Sequence, residues 1–425
     1  MRTFETYESE VRGYIRSFPK IFKQAIGAKL IDEQDNEYID FFAGAGTLNY
    51  GHNNPKATEA MISYLQSNGI VHGLDMATSA KKAFIEKFVS TILKPRNLEY
   101  KLQFTGPTGT NAVETALKLA RIIKGKSNIV SFTNGYHGLS QGSLAVTGNN
   151  FYRDESHISR SNVTFMPYDG YFGEDIDSLT IFRKFLEDSS SGLDSPAAVI
   201  LETIQGEGGI NVSSKEWLQG VEALCREFDM LLIVDDIQVG NGRAGNFFSF
   251  EFAGITPDII TLSKSIGGGL PMALVLFKPE LDQWKPGEHT GTFRGNNLAF
   301  VASKELLSYW DNEDLANAIA YKEKILKTKL EEIASEYKKY NIKIRGRGLV
   351  YGFEIINDEN MASEISAKAF ELGLIIETCG SSGQVVKFLP PLTIDEEILI
   401  EGLNLFEQAV KEVISGKEKH IKKEY

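Results

Sequence analysis

Between about residues 61 and 310, short and almost wholly apolar runs recur along the chain, spaced by longer stretches whose apolar residues fall three and four apart. The runs are IVSF, AAVILE, LLIVDD, IITLSK and ALVLF. They are too short for helices and lack the polar alternation of a strand with one face in water, so each reads as a strand buried on both faces. Such strands alternating with helical stretches predict βαβ units and a mainly parallel central sheet flanked by helices, an α/β fold. Residues 1–60 and 311–425 carry a mixed pattern: a long helical run, DLANAIAYKEKILKTKLEEIASEYKKY, and strand candidates around LVYGFEI, GLIIET and VVKFLP. No repeat, low-complexity tract or long linker interrupts the chain.

Three of the apolar runs deliver charged groups to their ends, and two of these point to chemistry. In IITLSKSIGGGLP a strand hands Lys264 to a glycine-rich turn, at a sheet edge where lost hydration and nearby cations depress an amine's pKa and leave it nucleophilic. That is the setting of a lysine that condenses with carbonyls, although a solvated strand end has the same local pattern. In LLIVDDIQVG the strand ends on Asp235 and Asp236, with Gln238 following. A carboxylate there points into the crevice where open parallel sheets bind ligands and could keep a pyridine nitrogen protonated; metal binding and turn capping fit the pair as well. A third segment, TGPTGTNAVETALKLAR, reads as a turn that opens a helix. Asn111 and Glu114 have capping-box spacing, Val113, Ala116, Leu117 and Ala120 share one face, and Gly109 and Thr110 fall where free N–H groups attract a phosphate. The segment is neither a dinucleotide fingerprint nor a P-loop, and an ordinary capped helix is the alternative.

In this order, and together with YIDFFAGAGTLNYGHNNP, YHG, ETIQGEGG, DDIQVGNGRAG, HTGTFRGNN and FLPPL, these segments are similar to the class III aminotransferases over nearly the whole chain. The resemblance implies the fold-type-I architecture, with residues 61–310 as a large cofactor-binding domain and residues 1–60 and 311–425 together as a small α+β domain. It implies pyridoxal 5'-phosphate held on Lys264, with Asp235 at the ring nitrogen and Gln238 near the phenolic oxygen. Gly109 and Thr110 would meet the phosphate, and Tyr136 in GYHG would stack on the ring; Lys264 and Asp235 form the catalytic pair. Thr292 in GTFRGN would reach the phosphate of the neighbouring subunit, so a homodimer with shared sites is the smallest working unit expected.

Within the class, FFAGAGTLNYGHNNP and GEHTGTFRGNN look most like members that move the amine of L-glutamate onto L-aspartate 4-semialdehyde. The implied products are 2-oxoglutarate and L-2,4-diaminobutyrate, at the start of ectoine formation. Enzymes acting on ornithine, acetylornithine or 4-aminobutyrate share every cofactor motif and remain the alternative. A non-catalytic binding protein of the same fold is a further alternative, against which Lys264 and Asp235 both argue.

Carboxylate recognition does not transfer whole from the family. Glu207 in ETIQGEGG matches the acid that neutralises a substrate-binding arginine, but Lys387 stands where that arginine is usual, and Leu139 stands where many relatives have another. Lys387, Arg294 and Arg153 are the replacement candidates. Glu202 and Glu207 also have a spacing seen in glycoside chemistry, which nothing else in the chain supports.

Charge and cysteine content narrow the partners. A formal charge of −12 argues against nucleic acid and anionic membranes. Screening over about 8 Å at physiological salt leaves acidic substrates possible, so the expected partners are small amino and oxo acids. MRTFETYESEVRGY has no apolar signal-peptide core, no run reaches membrane-spanning length, and Cys225 and Cys379 suggest no disulfide framework, which together predict a cytoplasmic protein. No metal site is expected.

Overall fold

A computed structural model of the chain describes residues 1–153, 160–173, 175–356, 358 and 360–421. Seven strands form the main sheet, in the spatial order Lys101–Phe104, Leu274–Phe277, Ile259–Leu262, Leu231–Asp235, Pro196–Leu201, Asn128–Phe132, Val163–Met166. All neighbours run parallel except at Leu274–Phe277, which is antiparallel to both strands beside it. The five apolar runs are all strands of this sheet, and the central ones are buried at every position. Alternate residues go to opposite faces: Ile129, Ile200, Ile233 and Ile259 pack under the helix Gly109–Lys124, while Val130, Val199, Val234 and Ile260 join a core that includes Trp217 and Val221 of the helix Lys215–Glu227. That two-sided burial is why these strands carry no polar alternation.

Two strands of the sheet were not visible in the pattern, Lys101–Phe104 and Val163–Met166, and they are its two edges. Both keep part of their surface open and are correspondingly less apolar. A second, antiparallel sheet orders Ile342–Arg347, Val350–Ile355, Val385–Phe388 and Glu377–Cys379. Its unforeseen member, Ile342–Arg347, is again an edge. A third sheet joins strands from both halves of the sequence, Phe22–Ile26, Lys29–Asp32 and Glu37–Asp40 with Leu374–Ile375, the last pairing parallel to Glu37–Asp40. The long helical run forms Asp314–Glu336, which packs beside Glu396–Ile421.

One buried side chain ties distant segments together. Arg243 is fully buried and donates to Asn49 Oδ1 at 2.7 Å, to the Leu349 carbonyl at 2.9 Å and to the Pro390 carbonyl. Burial lowers its pKa to about 9, against the distant pull of Asp40. Among the described residues no helix is long and apolar enough to cross a membrane.

Candidate active site

The functional candidates gather where the strands of the main sheet end. Asp235 is the last residue of its strand, Lys264 lies two residues beyond Leu262, Glu202 follows Leu201, and Tyr136 and His137 follow the strand Asn128–Phe132. These are carboxyl ends of parallel strands, the place where open α/β sheets form ligand crevices. A cavity of about 330 Å³ is lined there by Gly109, Thr110, Tyr136, Asp235, Gln238 and Lys264, together with His137, Leu139, Glu202 and Glu207. A second cavity of about 380 Å³ adjoins it and shares Tyr136 and Glu207.

Lys264 sits in the left-handed region at φ 51°, a costly conformation for a side-chain-bearing residue and one that proteins hold mainly at functional sites. Its Nζ donates to the Ala45 carbonyl at 2.9 Å. Burial depresses its pKa, Lys387 adds to the effect and Glu207 opposes it. Ala45 belongs to a turn in which Ala43, Gly44, Ala45 and Gly46 all have positive φ. That left-handed turn aims one carbonyl at both Lys264 Nζ and Gln238 Nε2, the latter at 3.1 Å.

Asp235 is almost fully buried and is braced on both oxygens. His137 Nδ1 lies 2.7 Å from Oδ2, and Thr261 Oγ1 and the Ile237 N–H donate to Oδ1 at 3.2 Å. Burial works against a charged imidazole, but the hydrogen bond and charge of Asp235 outweigh it and raise the His137 pKa. Glu202 accepts from the Tyr136 N–H at 2.9 Å and fixes the loop that carries that ring; burial pushes its pKa up to about 7.

Beyond Glu207, Lys387 lines neither cavity and is wholly buried between two acids, with Nζ 2.7 Å from Glu207 Oε1 and 2.9 Å from Glu377 Oε1. Burial is outweighed there by the paired charges, which raise Lys387 well above its usual value. Lys387 and Lys264 hold Glu207 down to about 2 despite burial, and burial pushes Glu377 up to about 7. Gln238 Nε2 also donates to Glu207 Oε1, at 3.0 Å.

The capping box expected of Asn111 and Glu114 does not form. The helix starts three residues earlier, with Thr108 as N-cap and Thr108 Oγ1 bonded to Asn111 Oδ1 at 2.7 Å, so Asn111 lies inside the first turn. Glu114 instead accepts from Ser140 Oγ at 2.6 Å and from the N–H groups of Gly142 and Ser143 at 2.7 and 3.1 Å. It thereby holds the loop carrying Leu139 against the helix. Gly109 and Thr110 are the first two helical residues, whose N–H groups have no intrahelical acceptor.

The remaining candidates lie elsewhere in the single chain. Arg294 pairs with Asp75 and lines a separate cavity with Lys81 and Trp284. Arg153 donates to the Thr147 carbonyl at 2.9 Å and covers the Phe165 ring. Neither reaches the Lys264 cavity in this chain, because local partners already hold both guanidinium groups. Thr292 is exposed and does not line that cavity either. Two residues were missed by sequence reasoning. His137 lies 98 positions from its partner Asp235, and Glu377 is revealed only by cross-strand register opposite Lys387.

The cavity fits pyridoxal phosphate. The opening turn of the helix Gly109–Lys124 offers unpaired N–H groups for a phosphate, and the approach is kept open by glycine: a Cβ at Gly138 would lie 2.5 Å from Thr110 Oγ1. Asp235 supplies a buried carboxylate suited to a protonated ring nitrogen, Lys264 supplies an amine in the same cavity, and the buried Gln238 Oε1 has no hydrogen-bond partner among the described residues.

Comparison with known proteins agrees with that chemistry. Residues 14–410 match the family described as aminotransferase class III. The chain is 63% identical over 418 residues to the diaminobutyrate–2-oxoglutarate transaminase of Wolinella succinogenes, covering 98% of both chains. It is 53% identical over 420 residues to the protein of that name from Halalkalibacterium halodurans, again over 98% of both. Among solved structures, the ornithine aminotransferase from Toxoplasma gondii superposes with a TM-score of 0.84 at 26% identity, over 98% of this chain and 95% of the other. With a family match across nearly all of its length and relatives this similar, the chain belongs to the class III aminotransferases and is a pyridoxal-phosphate-dependent enzyme.

Proposed function

We propose that the enzyme transfers the amine of L-glutamate to the terminal aldehyde of L-aspartate 4-semialdehyde, giving 2-oxoglutarate and L-2,4-diaminobutyrate, the first committed step towards ectoine. The observation that carries this reading is the 63% identity over full length to a diaminobutyrate–2-oxoglutarate transaminase. The partly exposed acid beside a buried lysine, Glu207 with Lys387, supports it, since two unlike substrates must share one pocket.

Bound pyridoxal phosphate supplies the electron sink for the carbanion at the reacting carbon. Lys264 Nζ moves the proton from the substrate carbon that bears the amine; its depressed pKa keeps a share of it neutral and able to accept. Asp235, held by His137 and Thr261, would keep the ring nitrogen protonated. The N–H groups of Gly109 and Thr110 would bind the phosphate, Gln238 would meet the phenolic oxygen, and Tyr136 would cover the ring and exclude water; all four line the cavity. When glutamate arrives, Lys387 binds its α-carboxylate in place of Glu207; when diaminobutyrate arrives, Glu207 stays and masks the ammonium.

Residues 61–310 act as the large domain and both ends of the chain as the small one. The working unit is a homodimer in which Thr292 reaches the partner's phosphate. Exposed apolar side chains around that loop support this, Phe293 at 69% with Ile70, Val71, Leu74 and Met76, and Phe293 stacks on His72.

The test is an amine-acceptor panel with glutamate as donor. Diaminobutyrate and aspartate semialdehyde should show the highest specificity constants. A higher value for ornithine or 4-aminobutyrate would move the enzyme to a neighbouring branch of the class.

A further inference from the structure

The buried cation at position 387 has one more acid than a single exchange of partners requires. Glu207 and Glu377 both contact Lys387 Nζ, but their surroundings differ. Glu207 lines both cavities and keeps 25% of its side chain exposed, so it can turn away into the pocket. Glu377 is 6% exposed and sits on the strand Glu377–Cys379, directly opposite Lys387 in the antiparallel register. Directly paired positions place both side chains on one face of the sheet, so the contact between Glu377 and Lys387 is set by the backbone.

Glutamate's carboxylate must take the place that Glu207 occupies, so Glu207 has to leave before the substrate is seated. Lys387 is wholly buried, and an ammonium stripped of its counter-ion in that position is strongly disfavoured. A second acid that does not move removes this obstacle. Resting on the substrate reading above, we propose that Glu377 is a fixed counter-ion for Lys387 that stays in contact while Glu207 swings away, and so lets one pocket alternate between glutamate and a substrate with no carboxylate beside its reacting carbon. Glu377 is a positioning residue in this scheme: it acts on the substrate only through Lys387. It also accounts for lysine at a position where a planar fork would be harder to share, since an ammonium is a point charge that can hold a permanent acid and an exchanging one together.

Single-turnover measurements on the holoenzyme separate the two half-reactions. In Glu377→Gln, opening leaves Lys387 without any carboxylate, so the competent state becomes rarer; the apparent glutamate dissociation constant should rise about tenfold or more relative to that for diaminobutyrate. Glu377→Asp keeps the charge and should recover part of the loss, and it carries the test if the glutamine variant does not accumulate. In Lys387→Met the cation is gone, so adding Glu377→Gln should change the glutamate half-reaction no further. Equal losses in both half-reactions, no loss in either, or additive effects in the double variant would overturn the proposal. If the wild-type enzyme reacts with glutamate but not with diaminobutyrate, the substrate reading fails instead. The same ratio is then read with whichever terminal amine the acceptor panel selects.

Discussion

Asp235 and Lys264 show what a single residue can announce from its place at the end of a strand. Each follows an apolar run that must be buried, so a charged group within a residue or two of its end stands at the crevice, and the structure puts both there. Asp235→Asn should retain the cofactor yet lose two to four orders of magnitude in transamination, about 3 to 5 kcal/mol, because an amide cannot hold the ring nitrogen protonated. Near-normal turnover in stopped assays of that variant would place the pyridine partner elsewhere. Borohydride reduction of the holoenzyme followed by peptide mapping should mark Lys264; a mark on another lysine would contradict the assignment. The bracing of these residues was not legible in the same way. His137 stands in a short polar segment after a different strand, and no local pattern says that its Nδ1 will meet a carboxylate 98 positions later. Arg294 and Arg153 show the converse: an arginine near a motif is as readily claimed by Asp75 or by a backbone carbonyl as by a substrate.

At the scale of elements, the existence of the helix Gly109–Lys124 was plain from its periodic apolar face, and its boundary was not. Capping residues compete, and here Thr108 begins the helix while Glu114 leaves it to serve the neighbouring loop. Glu114→Ala would strip the acceptor from Ser140 and from the N–H groups of Gly142 and Ser143, freeing the loop that closes over Thr110. Hydrogen bonds to a charged group contribute ~1.5 kcal/mol or more, so the affinity of the apoenzyme for pyridoxal phosphate should fall about tenfold, read by spectrophotometric titration. Unchanged affinity would mean that the loop is held by packing alone. Strands were legible to the degree that they were central. Pro196–Leu201 and Leu231–Asp235 are buried at every position and read as apolar runs, whereas Lys101–Phe104, Val163–Met166 and Ile342–Arg347 lie at edges where exposure dilutes the signal. The left-handed turn at Ala43–Gly46 left no trace, since two of its four residues are alanines that seldom adopt such angles.

Across the whole molecule, buried ionisable groups set the response to pH. Burial pushes Glu202 and Asp236, neither of them paired with a lysine, up to about 7, and the Asp235 contact raises His137. A carboxyl whose pKa is raised on folding holds a proton that the unfolded chain has already released, so each of the two costs stability as pH climbs from the usual carboxylate range to about 7; a raised histidine works in the same direction. Glu207 and Asp32, both held at about 2, act oppositely but only in more acid solution. Thermal denaturation should therefore show stability falling between about pH 5 and 7, and a rise across that window would contradict these buried protonations. Arg243 has a different consequence, which belongs to the order of synthesis. The last strand of the main sheet is finished by Phe277, but two of the acceptors that Arg243 needs arrive only with Leu349 and Pro390. At about 5 to 20 residues per second, a nascent chain spends several seconds with a completed sheet and a guanidinium half satisfied by Asn49 alone. Until the ribosome has delivered the C-terminal segment, the folded half of the molecule carries an open seam, and premature termination anywhere before that point leaves a product fit for proteolysis instead of a smaller working enzyme.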